Sequence, residues 1–148
     1  MFSKFKRNYS YSGLGFPVVI DQAEFIKRGK LWILKVDIEK IADNVIIALL
    51  TKRSGLSGSE IKFIRTYFNL SRLEFADLVI ASEILVKKWE SSGLKKADIN
   101  PAQEVLIRAF VKLILHGDAG FSDFYKGLLG EAGSFKRSFS NKPIKVNA

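Results

Sequence analysis

Two serines eleven residues apart, Ser71 and Ser82, constrain this chain more than any other feature. Each stands just before a run with helical periodicity. There a hydroxyl oxygen can accept one of the backbone N–H groups that a first helical turn leaves unpaired. Ser71 is followed three residues later by Glu74, whose carboxylate can return the bond to the serine's own amide. Caps at this interval leave room for a helix of about two turns, a tight turn and a second helix. Ala76 is small enough for two helices to cross closely, and Phe75, Val79, Val86 and Trp89 have the spacing of anchors beneath them. Trp89 is expected as a wedge in the core and not as a surface platform.

Around this unit the chain divides into five stretches. Residues 1–12, "MFSKFKRNYSYS", read as a flexible basic N-terminus. Residues 13–50 read as strand, strand, helix. "GFPVVI" and "KLWILKVD" have the branched and aromatic content of strands, and "DQAEFIKRG" between them reads as a loop or a short helix. "IEKIADNVIIALL" reads as a helix capped by Asp37, with Ile38, Ile41, Val45, Ala48 and Leu49 along one face. Residues 51–97 hold a loop, a helix from about Ser59 to Phe68 with Ser57 as its cap and Asn69 as a left-handed terminator, and then the paired helices. Residues 98–132 hold a long helix from about Pro101 to Leu115 and a short one at "FSDFYKGLL". Residues 133–148 read as a disordered basic tail.

The long helix is apolar over most of its circumference. Its polar residues Glu104, Arg108, Lys112 and His116 recur every fourth position as one narrow stripe. An arc that wide predicts burial from more than one side, and we read it as a dimerisation helix.

Composition removes several function classes. With no cysteine there are no disulfides and no thiolate metal sites, and the lone His116 cannot build a zinc site by itself. No metal and no cofactor is expected. Asp37, Glu39 and Asp43 have no matching His or Cys nucleophile, and "SGLSGSE" lacks the Gly-Lys-Ser/Thr that completes a phosphate-cradling loop. No catalytic residue is assigned, and the chain is read as a non-enzyme. The longest apolar run, Val45 to Leu50, is far short of the ~20 residues of a membrane helix. A soluble, cytoplasmic protein with no membrane partner is expected.

Net charge is +9, and its placement is informative. Residues 1–29 carry +3, residues 51–97 carry +4 and the tail from Ser134 carries +4, whereas residues 98–133 carry −2. Basic surface on the helical pair and both termini favours a polyanion. In a helix-turn-helix the second helix enters the major groove and the first crosses the phosphate backbone. The residues so placed are Arg72, just inside the Ser71 cap, and Ser82, Glu83, Ile84, Lys87 and Lys88 on the second helix. Lys52, Arg53, Lys95 and Lys96 flank the unit. Lysines and helix N-termini meet phosphates, whereas base edges are usually read by Arg, Asn or Gln. Here the first turn offers Ser82, Glu83, Ile84 and Leu85, so phosphate contact is better furnished than base reading.

The stretch "LSGSEIKFIRTYFNLSRLEFADLVIASEILVKKWESSG" resembles the Xre/Cro-type helix-turn-helix of antitoxins of the MqsA/HigA kind. The shared pattern comprises Leu56, Ser57, Gly58, Glu60, Ile61, Phe63, Ile64 and Arg65, then Leu70, Ser71, Glu74, Phe75 and Ala76, then Ser82, Val86, Trp89 and Glu90. The likeness extends from about Tyr9 to Leu115. It implies a mainly α fold: a lambda-repressor-like helix-turn-helix domain of five to six helices with a short N-terminal β-hairpin. It implies a homodimer on double-stranded DNA that represses its own toxin-antitoxin operon and neutralises a partner toxin. Three departures stand out. Ile80 occupies the turn position usually held by glycine, Glu83, Ile84 and Leu85 replace the usual polar readers, and the zinc-binding cysteine module that some relatives carry is absent. The alternative reading is a protein-interaction module that keeps the scaffold, with weak or no sequence-specific DNA binding.

Overall fold

The structure, a computed structural model, describes residues 2–116 and 143–147. The described residues fall into two compact units that divide between Ala48 and Leu49, and residues 143–147 belong to the first.

The first unit is built on a four-stranded mixed sheet. β1 (Ser3–Tyr11), β2 (Val18–Arg28) and β3 (Leu31–Lys35) run antiparallel in the order β1-β2-β3, and β4 (Ile144–Val146) pairs parallel with β2. β1 occupies one edge of β2 along almost its whole length, from Ser3↔Ile26 to Tyr11↔Val18. The other edge is shared, with β3 on Glu24–Arg28 and β4 on Val18–Ile20. Gly29 and Lys30 form the two-residue link between β2 and β3. Gly29 has φ +61°, the left-handed conformation that tight hairpins demand and glycine adopts at no steric cost. Asn8, at φ 52°, interrupts β1 without shifting its register, and asparagine is one of the few other residues that tolerate that region.

After Val36 comes α1 (Ile38–Thr51), where Asp37 Oδ1 accepts the Lys40 amide at 3.1 Å as the capping argument requires. The buried apolar side chains of this unit are Phe16, Val18, Ile20, Ala23, Ile41, Val45, Ile46 and Val146. β4 is tied in further: Asn44 Nδ2 donates to the Asn147 carbonyl at 2.8 Å, and Lys145 pairs with Asp21 at 3.1 Å.

This sheet overturns the mainly α expectation of a five- to six-helix, lambda-repressor-like domain with only a short hairpin. Five helices are present among the described residues, but with them stand four strands of nine, eleven, five and three residues. The stretch read as a flexible N-terminus is β1. The stretch read as a loop or short helix is β2 from Asp21 to its end, with Gly29 of the turn. Ile144–Val146, read as part of a disordered tail, is β4, and residues 133–142 and "FSDFYKGLL" lie outside the described residues. The physical reason is common to all three: backbone pairing to distant residues, and not an apolar period, makes these strands.

The second unit is helical. α2 (Gly58–Tyr67), α3 (Arg72–Leu78), α4 (Glu83–Glu90) and α5 (Pro101–His116) enclose Leu56, Ile61, Ile64, Phe75, Ala76, Val79, Val86, Trp89, Val105, Ile107 and Val111. Burying each large side chain stabilises by about 1.5–3 kcal/mol. Ser57 caps α2, Asn69 ends that helix region at φ 56°, and Trp89 is wholly buried, each as expected.

The polar stripe of α5 is a correction in part: Glu104 and Arg108 point inward and are almost fully buried. Arg108 donates to the carbonyls of Leu49 and Leu50, groups that the end of α1 leaves unpaired, and to that of Ser54 in the following loop, and Glu104 accepts the Leu56 amide at 2.6 Å. Among the described residues no helix is long and apolar enough to cross a membrane.

Candidate nucleic-acid interface

The α3–turn–α4 unit is set by its caps. Ser71 Oγ accepts the Glu74 amide and Glu74 Oε1 accepts the Ser71 amide, both at 3.1 Å. The bond from the Ser71 backbone, then that involving its side chain, hold the Glu74 carboxyl below the usual carboxylate range. Ser82 Oγ accepts the Leu85 amide at 3.1 Å, but α4 has no reciprocal carboxylate, because its third residue is Leu85. Between the helices the chain turns at Ile80, which adopts φ 55° where a glycine would be unstrained. Ala81 N donates to the Ala76 carbonyl at 2.9 Å, and Gln103 Nε2, from α5, donates to the Ile80 carbonyl at 3.2 Å. The helices meet over Phe75, Ala76, Val79, Val86 and Trp89, all with no exposed surface.

Glu90 locks this unit to α2. Its carboxylate accepts Arg65 Nε at 2.7 Å and Arg65 Nη2 at 3.0 Å, and Arg72 Nε at 3.2 Å. Arg65 also donates to the Leu70 carbonyl at 2.9 Å. The forked geometry on a buried carboxylate is the strong form of an ion pair. Gly58 shows why the start of α2 is bare: a Cβ there would strike the backbone oxygens of Trp89 and Glu90.

Six residues were expected at a DNA surface, and the structure divides them. Ser82, Glu83, Ile84, Lys87 and Lys88 lie together on the exposed side of α4, with Ile84 82% exposed. No ion pair involving Glu83, Lys87 or Lys88 occurs among the described residues. Arg72 is different, because it is half-buried and held by Glu90. Of the flanking cations, Arg53 and Lys95 are exposed, but Lys52 is drawn in by Glu60 at 2.7 Å. The sequence reading missed the Arg65–Glu90–Arg72 cluster. The Trp89-Glu90 pair was its visible half, but a partner 25 positions away carries no local mark.

Chemically, the exposed side of α4 offers two ammonium groups and the amides of a helix N-terminus to an anion, one carboxylate and one branched apolar side chain. No group of three or more His, Cys, Asp or Glu that could hold a metal ion occurs among the described residues. Comparison with known proteins gives no match to a family model, to a curated protein or to a solved structure.

Proposed function

We propose that this chain is a DNA-binding transcriptional regulator of the antitoxin type, in which α4 docks against duplex DNA. The carrying observation is the exposed side of α4 with Ser82, Glu83, Ile84, Lys87 and Lys88, whose two lysines form no ion pair among the described residues. Lys87 and Lys88 take phosphates, Ile84 is available for a thymine methyl, and Glu83 for a cytosine amine. Arg72 contributes by positioning α3 through Glu90. The operon and the partner toxin rest on the motif residues alone. Dimerisation is proposed through α5, whose Leu113 and Ile114 are 40% and 55% exposed. A strictly monomeric size in solution would remove it.

Duplex binding against salt concentration tests the docking. Affinity falls steeply with salt when phosphates are neutralised, by a slope of about 0.9 per contact. Lys87→Ala with Lys88→Ala is expected to weaken binding strongly and to lower the slope by about 2. Unchanged affinity would remove α4 as the docking surface. The second reading, a protein-interaction module, is favoured by Ile80 and Ile84, which are 79% and 82% exposed within one short stretch. It predicts that the chain's own promoter and random duplex bind alike, and weakly.

A further inference from the structure

The sheet of the first unit carries aromatic rings and lysines in alternation on one face. Cross-strand register places Lys4 beside Phe25 and Lys27 beside Trp32. Lys4 Nζ lies 4.4 Å from the Trp32 ring centre and 5.9 Å from that of Phe25, and Lys27 Nζ lies 6.0 Å from Trp32. Further along, Lys6 Nζ lies 5.8 Å from the Tyr9 ring, which meets Phe25 edge-on at 5.3 Å. Lys4, Lys6, Lys27 and Trp32 are all exposed. Glu24, paired across the strands with Lys35, belongs to the other side by register. The bare apolar residues of these strands, Phe5, Leu31 and Ile33, also belong to that other side by register.

We propose that this face binds single-stranded nucleic acid. Charge complementarity selects a polyanion, and the rings select one with unpaired bases. Lysines take the phosphates, and base faces stack on the indole and phenyl rings without regard to sequence. A duplex keeps its bases stacked inside and offers these rings nothing. A lipid surface would call for a bare apolar ridge, and here each ring carries a lysine. Lys4 is exposed, so no burial fixes its ammonium over the ring. It leaves the indole for a phosphate as a base takes its place, since stacking a base outweighs an exposed cation–ring contact. The proposal uses no residue of α4 and stands apart from duplex docking.

The chain carries its own reporter. Trp89 is wholly buried and Trp32 is 39% exposed, so a quencher stacked on the sheet acts on Trp32. The full-length protein is titrated with single-stranded oligodeoxythymidine, with tryptophan emission and the anisotropy of the labelled strand followed together. Saturable quenching is expected, with affinity falling as salt rises. Trp32→Ala should weaken binding at least about tenfold, and Trp32→Phe should restore most of it. Lys4→Ala with Lys27→Ala, at exposed positions where folding is not at stake, should weaken it and flatten the salt dependence. Lys87→Ala with Lys88→Ala should leave it unchanged. Binding without quenching, parent-like affinity in Trp32→Ala, displacement by inorganic polyphosphate at equal phosphate, or an emission change with anionic vesicles and none with the strand would each overturn the proposal.

Discussion

Ile80 and Glu104 each sit in surroundings that their own chemistry disfavours. Left-handed backbone costs an L side chain about 1–2 kcal/mol, and Ile80, being 79% exposed, recovers little by burial. Ile80→Gly keeps the carbonyl that Gln103 donates to and removes the strain. The greater freedom of glycine in the unfolded chain offsets part of the gain, about 0.5–1 kcal/mol. A net stabilisation of up to about 1 kcal/mol is expected from the urea midpoint, and a lowered midpoint would contradict the turn argument. Glu104 has a different difficulty. Burial, the largest influence, pushes its carboxyl up. Arg108, the Leu56 amide, Lys96 and Lys52 pull it back only in part. The folded state therefore holds this proton more tightly than the unfolded chain. From the ordinary value of 4.5 up to the raised one, the native form binds more protons, so this group's contribution to stability falls as pH rises. Glu104→Gln, which can still accept the Leu56 amide, should make the slope of unfolding free energy against pH less negative just above that ordinary value. An unaltered slope would show that Glu104 does not titrate in that window.

At the scale of elements, legibility follows the range of the interaction that makes each one. The Ser57, Ser71 and Ser82 caps each act over three residues, so the starts of α2, α3 and α4 could be read directly. β1 could not. Its side chains are nearly all exposed, so no apolar period marks it, and lysines on an edge strand look like a polar tail while serving to discourage further pairing. The middle of β2 was hidden for a related reason: Asp21, Gln22 and Glu24 read as a loop until β1 lies along this stretch and β3 joins at Glu24 on the other side. Gly58 belongs between these extremes. It stood in the recognisable motif, yet only the structure shows that the α4 backbone lies against it. Gly58→Ala must push α2 off backbone atoms that cannot swing aside. It is expected to cost about 1–3 kcal/mol, measured by chemical unfolding. A neutral result would mean that the two helix ends do not approach as described.

Across the whole molecule the two ends of the sequence meet in one sheet. That contact could not be seen along the chain, because β2 and β4 are separated by more than a hundred residues. It changes the meaning of the basic C-terminus. Lys145 neutralises Asp21, and Val146 is buried, so charge at residues 143–147 serves the first unit's own sheet as well as its surroundings. Removing the chain from Pro143 onward strips the edge of β2 at Val18–Ile20, loses the Asn44 bond to Asn147, and exposes the surface that Val146 covers. Burial of one valine is worth about 1.5–3 kcal/mol, which is larger than the loss of an exposed ion pair at about 0–1 kcal/mol. The dominant effect is therefore on packing and not on charge. Two variants separate them: Val146→Ala should reproduce most of the destabilisation of the truncation, and Lys145→Ala almost none. Hydrogen exchange locates the effect, with amides of Val18–Ile20 losing protection while those of α4 serve as the internal reference. Equal protection in the truncated and full-length chains would mean that β4 contributes nothing to the sheet, and the first unit would reduce to its three antiparallel strands and α1.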